Sequence, residues 1–289
     1  DKYTPDGEFD KYKVRLCPRG CDQIDSYQQT YAPTPQFAVL RLLLILSISI
    51  NAQMRQFDIT QAFQHPHIDE KMCFTLPAGF SLSGCTYTVY TKGLHGIKQA
   101  AHVWYTEYDT ICLDLHKDVR KSENEPCLYF VWTSTVKAAW YIHADDNFGF
   151  SDPPSFFTAL MDAAAKKRGI TRQNTMTTVL GMSITPYPLP DHPRAAICTH
   201  AGKLQELEDR FSITELSFPV KSPMCWKSAS SLLRNGSADR SLPFMSLLIS
   251  LMWNCLCSKP EIMFACKYLT RYGQSVEISH YRRITRVTR

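Results

Sequence analysis

Three aspartates stand where their carboxylates could carry metal-dependent chemistry. Asp58 lies in the strand-like stretch Phe57-Asp58-Ile59, and the pair Asp145-Asp146 follows an apolar segment at a turn signal. A charged side chain inside an apolar strand is costly unless it is paired or bound to a metal. Carboxylates at neighbouring strand ends repel one another, and Mg²⁺ relieves that repulsion because it binds carboxylates together with waters and phosphates. Two such ions about 3.5–4 Å apart would support phosphoryl transfer. Composition alone leaves this open, since aspartates are also common at turns.

The elements that must position these aspartates are a mixture of strands and helices. Apolar periodicity and turn residues predict strands near 54–59, 127–132, 138–143, 179–185 and 195–200, and helices near 100–115, 155–168, 202–210, 245–257 and 262–272. The turn Pro5-Asp6-Gly7 and the alternating segment 12–16 predict an N-terminal β-hairpin. Thr34 as N-cap and Pro35 at the first helical position predict the start of another helix. This order indicates an α+β fold.

Charge is distributed unevenly along the 289 residues. Residues 1–150 hold 14 Lys and Arg and 17 Asp and Glu, a net charge of −3, whereas residues 151–289 hold 18 and 10, a net charge of +8. Arg282, Arg286 and Arg289 recur at helical spacing and would share one face. A basic half favours a polyanionic partner such as nucleic acid, although a solvated basic helix end would give the same pattern.

The compartment is predicted from segments that the sequence lacks and from its cysteines. No apolar run reaches the roughly 20 residues that a membrane helix needs, and no cationic-then-apolar leader follows Asp1. The 11 cysteines show no zinc-ligand spacing, and most lie among apolar neighbours, as buried thiols do. We therefore expect an intracellular protein, in a cytoplasmic particle or the nucleus, that is neither secreted nor membrane-bound. The start at Asp1 is interpreted as that of a fragment.

Seven sequence blocks occur in an order that resembles a known family. The blocks are KYKVRLCPRG (11–20), YAPTPQFAVLRLLL (31–44), FDITQAF (57–63), GLHGIKQAAHVWY (93–105), YIHADD (141–146), LGM (180–182) and the closing segment 258–289, which contains SKPEIMFACKYLTRY. Together they resemble the reverse transcriptase region of copia-type LTR retrotransposons. The likeness covers nearly the whole chain.

The resemblance implies a right-hand polymerase fold and an RNA-directed DNA polymerase activity. Fingers and palm, with an antiparallel sheet, are expected over residues 1–215, and a helical thumb- or connection-like part over 216–289. The sequence is expected to stop before any ribonuclease H region. The implied partners are an RNA or DNA template-primer and dNTPs, and the implied cofactor is two Mg²⁺ ions, with Mn²⁺ as an alternative.

The resemblance also implies roles for individual residues. Asp58 and Asp145 would bind both metal ions, with Asp146 assisting in catalysis. Phe63 would lie beneath the incoming sugar and exclude a 2′-hydroxyl, unless it is a simple core residue. The other implied contacts are Lys13, Arg15 and Arg19 to the triphosphate, Gly96, Ile97 and Lys98 to nucleotide and template, and Arg282, Arg286 and Arg289 to nucleic acid. Trp104 and Tyr105 are interpreted as packing residues.

Several positions depart from the family pattern. His143 and Ala144 stand where the family usually has tyrosine and valine, and Ala101 and His102 replace a proline and an arginine. The usual general-acid lysine for pyrophosphate is not recognisable, and Lys166, Lys167 or Arg172 could substitute for it. These departures leave a second hypothesis open, in which the chain is a catalytically inactive transposon remnant that at most binds nucleic acid.

Overall fold

The chain forms two compact units, residues 1–175 and residues 176–289. The computed structural model describes residues 2–3, 9–12, 14–23, 29–167, 169–173, 176–211, 213, 222, 224, 238–239 and 241–287. The expected boundary between 215 and 216 falls on residues outside those ranges. The division of the chain into palm and thumb therefore stays a prediction.

The first unit is built around a six-stranded antiparallel sheet. In chain order its elements are β1 (Lys2–Tyr3), β2 (Phe9–Lys11), α1 (Phe37–Ser49), β3 (Arg55–Ile59), β4 (His67–Thr75), β5 (Tyr87–Lys92), α2 (Ala100–Leu113), β6 (Arg120–Lys121), β7 (Leu128–Trp132), β8 (Lys137–His143), β9 (Asp146–Asp152), α3 (Pro154–Lys167) and β10 (Ile170–Gln173). The sheet order is β10-β3-β9-β8-β7-β6, while β1-β2 and β4-β5 form separate antiparallel pairs.

Helices cover both faces of the central sheet. Residues of α2 and α3, including Trp104, Tyr108 and Phe157, pack with Phe57 and Trp140 of the sheet in one buried apolar cluster. Helix α1 contacts β8 and β9. Burial of large apolar side chains supplies most of the free energy that holds such layers together.

The predicted strands and helices of this unit are confirmed, with two exceptions. Helix α1 begins at Phe37, with Gln36 as the N-cap, so the start predicted at Thr34 and Pro35 is wrong. The backbone N–H of Gln36 donates to the Glu125 carboxylate at 3.2 Å, and this long-range contact favours the extended backbone of Gln36. The predicted N-terminal hairpin does form, between β1 and β2, but its second strand is misplaced. Residues 12 and 14–16 form no strand, and Tyr12 and Val14 are 79% and 91% exposed, so no buried face supports one.

The second unit combines a small sheet with a helical core. Its elements are β11 (Thr178–Val179), β12 (Met182–Pro186), β13 (Ala196–Thr199), α4 (Ala201–Arg210), α5 (Phe244–Cys257), α6 (Met263–Leu269) and α7 (Ile278–Val287). The three strands form an antiparallel meander, and Leu207, Leu251, Leu269 and Ile284 contribute to one core. Short 3-10 turns flank α6, so the predicted helix near 262–272 is present but not uniformly α-helical.

The two units together confirm the α+β class. Across the described residues, none of the helices combines the length and the apolar character that crossing a membrane requires.

Candidate active site

The strand register brings the three aspartates together. Asp58 lies directly opposite Asp146 in the β3–β9 pair, and Asp146 lies opposite His143 in the β8–β9 pair. Directly paired residues project from the same face of a sheet. The backbone N–H of Ile59 donates to the carbonyl of Asp145 at 2.9 Å, which holds the turn against the end of β3. Residues almost ninety positions apart thus meet at one end of the central sheet.

A two-residue turn, Ala144-Asp145, connects β8 to β9. Ala144 has φ +58°, a left-handed conformation that is uncommon for residues other than glycine. Two side chains bond to the turn backbone: Trp104 Nε1 donates to the Ala144 carbonyl at 2.9 Å, and Asn147 Nδ2 donates to the Asp145 carbonyl at 3.1 Å. These bonds stabilise a conformation that would otherwise be costly.

An open cleft of about 870 Å³ adjoins the turn. We call it the carboxylate cleft. Its lining consists of Lys11, Tyr12, Val14, Arg15, Leu16, Asp58, Ile59, Thr60, Gln61, Ala62, Gln64, His65, Tyr90, Lys92, Gly93, Leu94, His95 and Asp145. Basic side chains and two carboxylates therefore face a common space that is large enough for a nucleotide-sized ligand.

Burial and like charge act together on Asp146. Burial raises the pKa of the Asp146 carboxyl above its usual value, and the neighbouring charge of Asp145 raises it further. His143 and a hydrogen bond with the Gln56 side chain oppose that rise in pKa. The carboxylate charges at this sheet end are thus only partly compensated by the protein.

The donor set at the sheet end fits a hard divalent cation. Carboxylate oxygens are the ligands that Mg²⁺ prefers, and a cation would relieve the repulsion between Asp145 and Asp146. Within the described ranges, no group of three or more His, Cys, Asp or Glu side chains is arranged to hold a metal ion by itself. Waters and substrate phosphates would have to complete the coordination, as they usually do for Mg²⁺.

The predicted triphosphate cations divide between two places. Arg15 lines the carboxylate cleft. Arg19 lines a different pocket and forms an exposed ion pair with Asp22, with 3.1 Å between Nε and Oδ2. Lys13 lies outside the described residues. Of the three, the described structure brings Arg15 alone to the aspartates.

Gly96, Ile97 and Lys98 pack against the segment 16–23. A Cβ atom on Gly96, whose φ is +102°, would lie 2.3 Å from the Pro18 carbonyl oxygen, so only glycine allows this approach of the two backbones. Ile97 is buried, and Lys98 Nζ donates to the Gln23 carbonyl at 3.1 Å. Their role at the nucleotide stays a prediction, because the contacts that the structure describes are contacts within the protein.

Phe63 lies beside the carboxylate cleft in a smaller, mostly apolar pocket of about 250 Å³. Its ring meets the His95 ring edge-on at 5.0 Å, and the pocket is also lined by Trp104, Tyr105 and Ala144. This placement is compatible with a core residue, the alternative that the sequence left open. Selection against a 2′-hydroxyl stays a prediction.

None of the contacts that the structure describes places the remaining predicted residues next to the carboxylates. Lys166 and Lys167 end α3 as exposed residues. The side chains of Arg172 and Arg286 and the whole of Arg289 lie outside the described residues. Arg282 is exposed on α7. The general acid and the nucleic-acid contacts of these arginines therefore stay predictions.

Sequence reasoning missed several residues that shape the site. His65 lines the cleft and bonds to the Thr60 carbonyl at 2.7 Å, and Gln56 lies two residues before Asp58 on the same face of β3. Strand alternation could have identified Gln56, because it repeats the polar position of Asp58. The bond from Trp104 to the turn has no sequence signal, since it joins elements far apart in the chain.

The chain matches a protein-family model over residues 3–182. That model describes the reverse transcriptase (RNA-dependent DNA polymerase) family. The chain belongs to this family. The family match includes the strand of Asp58 and the turn of Asp145-Asp146, which the fold brings together.

Curated relatives of this reverse transcriptase domain confirm the resemblance to copia-type elements. It is 22% identical to the retrovirus-related Pol polyprotein from transposon TNT 1-94 of Nicotiana tabacum, with 100% of this chain and 22% of the relative covered. It is 21% and 20% identical to the corresponding polyproteins from transposons RE1 and RE2 of Arabidopsis thaliana, covering 100% of this chain and 19% of each relative. The chain thus spans about a fifth of these relatives. No solved structure was found to match it.

Proposed function

We propose that this domain is an active RNA-directed DNA polymerase that adds dNTPs to the 3′-hydroxyl of a primer paired with an RNA or DNA template. The observation that carries the proposal is the β3–β9 register, which sets Asp58 opposite Asp146 with Asp145 in the adjoining turn. A basic, open cleft at the same place provides room for a charged substrate. Nucleotidyl transfer depends mostly on positioning and electrostatic stabilisation, which this arrangement can supply.

In this proposal Asp58 and Asp145 hold two Mg²⁺ ions, and Asp146 assists. When bound, the ions lower the charge of the triphosphate and stabilise the attacking and leaving oxygens. The Ile59 N–H and the Asn147 side chain fix the Asp145 backbone, so that its carboxylate is presented at a constant position. Arg15, which lines the same cleft, binds triphosphate oxygens, since a guanidinium forms strong bonds to phosphate.

The proposed architecture is that of a right-hand polymerase. The central antiparallel sheet with its two helix layers would be the palm, and the N-terminal segment together with the β4–β5 pair would be the fingers. The helical core of the second unit would be thumb-like. The second unit holds 14 Lys and Arg against 8 Asp and Glu, a net charge of +6 over residues 176–289, which suits a polyanionic partner.

Primer extension on an RNA template with Mg²⁺ and dNTPs tests the proposal. Asp145→Asn removes a carboxylate from the cleft with little change of volume, and we expect the rate to fall about 1,000-fold or more, because several kcal/mol of transition-state stabilisation is lost. Asp152→Asn is the matched control, since Asp152 is an exposed carboxylate at the far end of β9, the strand that follows the turn of Asp145. Its rate should stay within about twofold of the wild-type rate.

Two results would contradict the proposal. One is equal extension by the wild type and Asp145→Asn. The other is salt-sensitive binding of RNA by a wild-type chain that extends no primer, which would identify the domain as an inactive remnant that retains a basic surface.

A further inference from the structure

We propose that Trp104 is a positioning residue for nucleotide addition, which holds the Ala144-Asp145 turn through its indole N–H; this rests on the proposed polymerase function. Trp104 Nε1 donates to the Ala144 carbonyl at 2.9 Å, one residue before Asp145. The ring is 2% exposed and stacks on Tyr108 at 5.2 Å with an interplanar angle of 18°. The indole N–H therefore belongs to a buried ring whose position is held by stacking on Tyr108.

The turn needs such a donor because its backbone is unfavourable. Ala144 adopts a positive φ, which is energetically unfavourable for a residue other than glycine. The pocket beside the Trp104–Ala144 bond is lined mainly by apolar and aromatic groups, among them Phe63 and Ile142. Without the Trp104 N–H, the Ala144 carbonyl has few polar groups around it that could donate a replacement hydrogen bond. A polar group without a hydrogen bond is unfavourable in an apolar environment.

The hydrogen bond from Trp104 to Ala144 also helps to fix the backbone that carries the Asp145 carboxylate. The Asp145 carbonyl accepts from Ile59 N and from Asn147 Nδ2, so the backbone on the C-terminal side of the turn is tied to β3 and β9. Trp104 ties the N-terminal side to α2. With that tie removed, Ala144 can relax toward a more common conformation and swing Asp145 away from Asp58. A displacement of about 1 Å at such a site can reduce the rate by about 100-fold.

The experiment replaces Trp104 in the whole chain by 3-benzothienylalanine, an isostere in which sulfur stands in place of the indole N–H. The matched control carries the same isostere at Trp140. Trp140 is fully buried in the same core, and its Nε1 donates to the Cys112 thiol at 3.5 Å, away from the turn. Both variants lose one indole donor and keep the aromatic volume. A difference between them therefore reports on the Ala144 carbonyl rather than on packing.

Two readouts are taken. The first is amide hydrogen exchange at Ile59, which donates to Asp145 and needs no catalytic activity; we expect it to quicken about 10-fold in the Trp104 isostere and to stay unchanged in the Trp140 isostere. The second is the kinetics of primer extension, where kcat should fall about 10-fold at Trp104 with the KM for dNTP unchanged, because the turn acts on the transition state.

The outcomes separate the two proposals. Unchanged exchange at Ile59, or an equal change in both isosteres, overturns the role of Trp104. Faster exchange specific to Trp104 with an unchanged kcat in an active enzyme overturns it as well, because the turn would then be mobile without consequence. If the wild type extends no primer, the proposed function fails, and the exchange at Ile59 alone decides whether Trp104 holds the turn.

Discussion

The two units of this chain use buried and charged groups in opposite ways. At the end of the central sheet in the first unit, Asp58 lies opposite Asp146, and the charge of Asp145 repels that of Asp146. In the helical core of the second unit, most of the buried side chains are apolar, among them Leu247 and Leu251, although Asn254, Glu277 and His280 are also buried. In the proposed function, the sheet end gives up some stability for activity, whereas the helical core serves stability.

The largest expected effect separates function from stability at the sheet end. Asp145→Asn should reduce primer extension by about 1,000-fold or more, while the free energy of unfolding stays equal or rises, because the charge that repels Asp146 is gone. Urea unfolding and primer extension on the same preparation measure both quantities. A variant that loses activity and is clearly less stable would indicate that Asp145 is a structural residue, and the comparison between the units would fail.

Alanine substitution of one glycine in each unit compares how tightly the two sites are packed. A Cβ atom on Gly149 in β9 would lie 2.3 Å from the Ala139 carbonyl oxygen, so Gly149→Ala should lower the free energy of unfolding by about 3 kcal/mol. Gly202 in α4 has no neighbouring atom within 4 Å of the added Cβ, and alanine is the better helix former. Gly202→Ala should therefore raise stability by up to about 1 kcal/mol. Equal effects in urea unfolding would contradict this prediction.

A smaller effect is expected from one ion pair in each unit. Lys121 Nζ lies 2.8 Å from Asp109 Oδ1 and 4.8 Å from the centre of the Tyr105 ring, with both charged side chains less than a third exposed. Lys121→Ala should cost about 1–2 kcal/mol. The Lys203–Glu206 pair on α4 is more than half exposed, so Lys203→Ala should change the free energy of unfolding by less than about 0.5 kcal/mol. Equal losses in urea unfolding would show that burial does not set the difference.

The smallest expected effect is a pH dependence in the second unit. Burial, together with the charge of Lys203, lowers the pKa of His200 below its usual 6.5, against an opposing bond with the Leu180 backbone. The unfolded chain then binds a proton more readily than the folded chain, so His200 contributes stability above pH 6.5 that is lost as the pH falls below that value. His200→Gln should lose less stability than the wild type between pH 7.5 and 5.5. His192→Gln, at an exposed loop position, should behave as the wild type.

How much could be predicted from sequence differs between the sheet and its surroundings. The strands of Asp58 and of the Asp145-Asp146 turn were predicted because apolar residues and turn residues give a strong local signal. The start of α1 was wrong because a contact with Glu125, 89 positions away, decides the backbone of Gln36. Long-range contacts of this kind leave no trace in a local pattern.

The proposed site is predictable from the sequence only in part, and for the same reason. The aspartates can be recognised in the sequence, because a charged residue within an apolar strand is costly unless it is paired or bound to a metal. The sequence gives no signal for the hydrogen bond from Trp104 to the turn or for the ion pair of Arg19 with Asp22. Each of these contacts depends on how the chain packs. Family resemblance identified which residues to examine, but only the register of β3 against β9 shows that they meet.

Helix α2 joins two distant parts of the first unit through residues at its beginning. Its N-cap residue, Gln99, accepts a 2.7 Å bond from Gln23 of the N-terminal segment, and five residues later Trp104 reaches Ala144. An α-helical stretch of five residues is only about 7.5 Å long and moves as a rigid rod. We therefore expect a displacement of the N-terminal segment to be transmitted to the turn that carries Asp145, because the two hydrogen bonds lie within two turns of one helix.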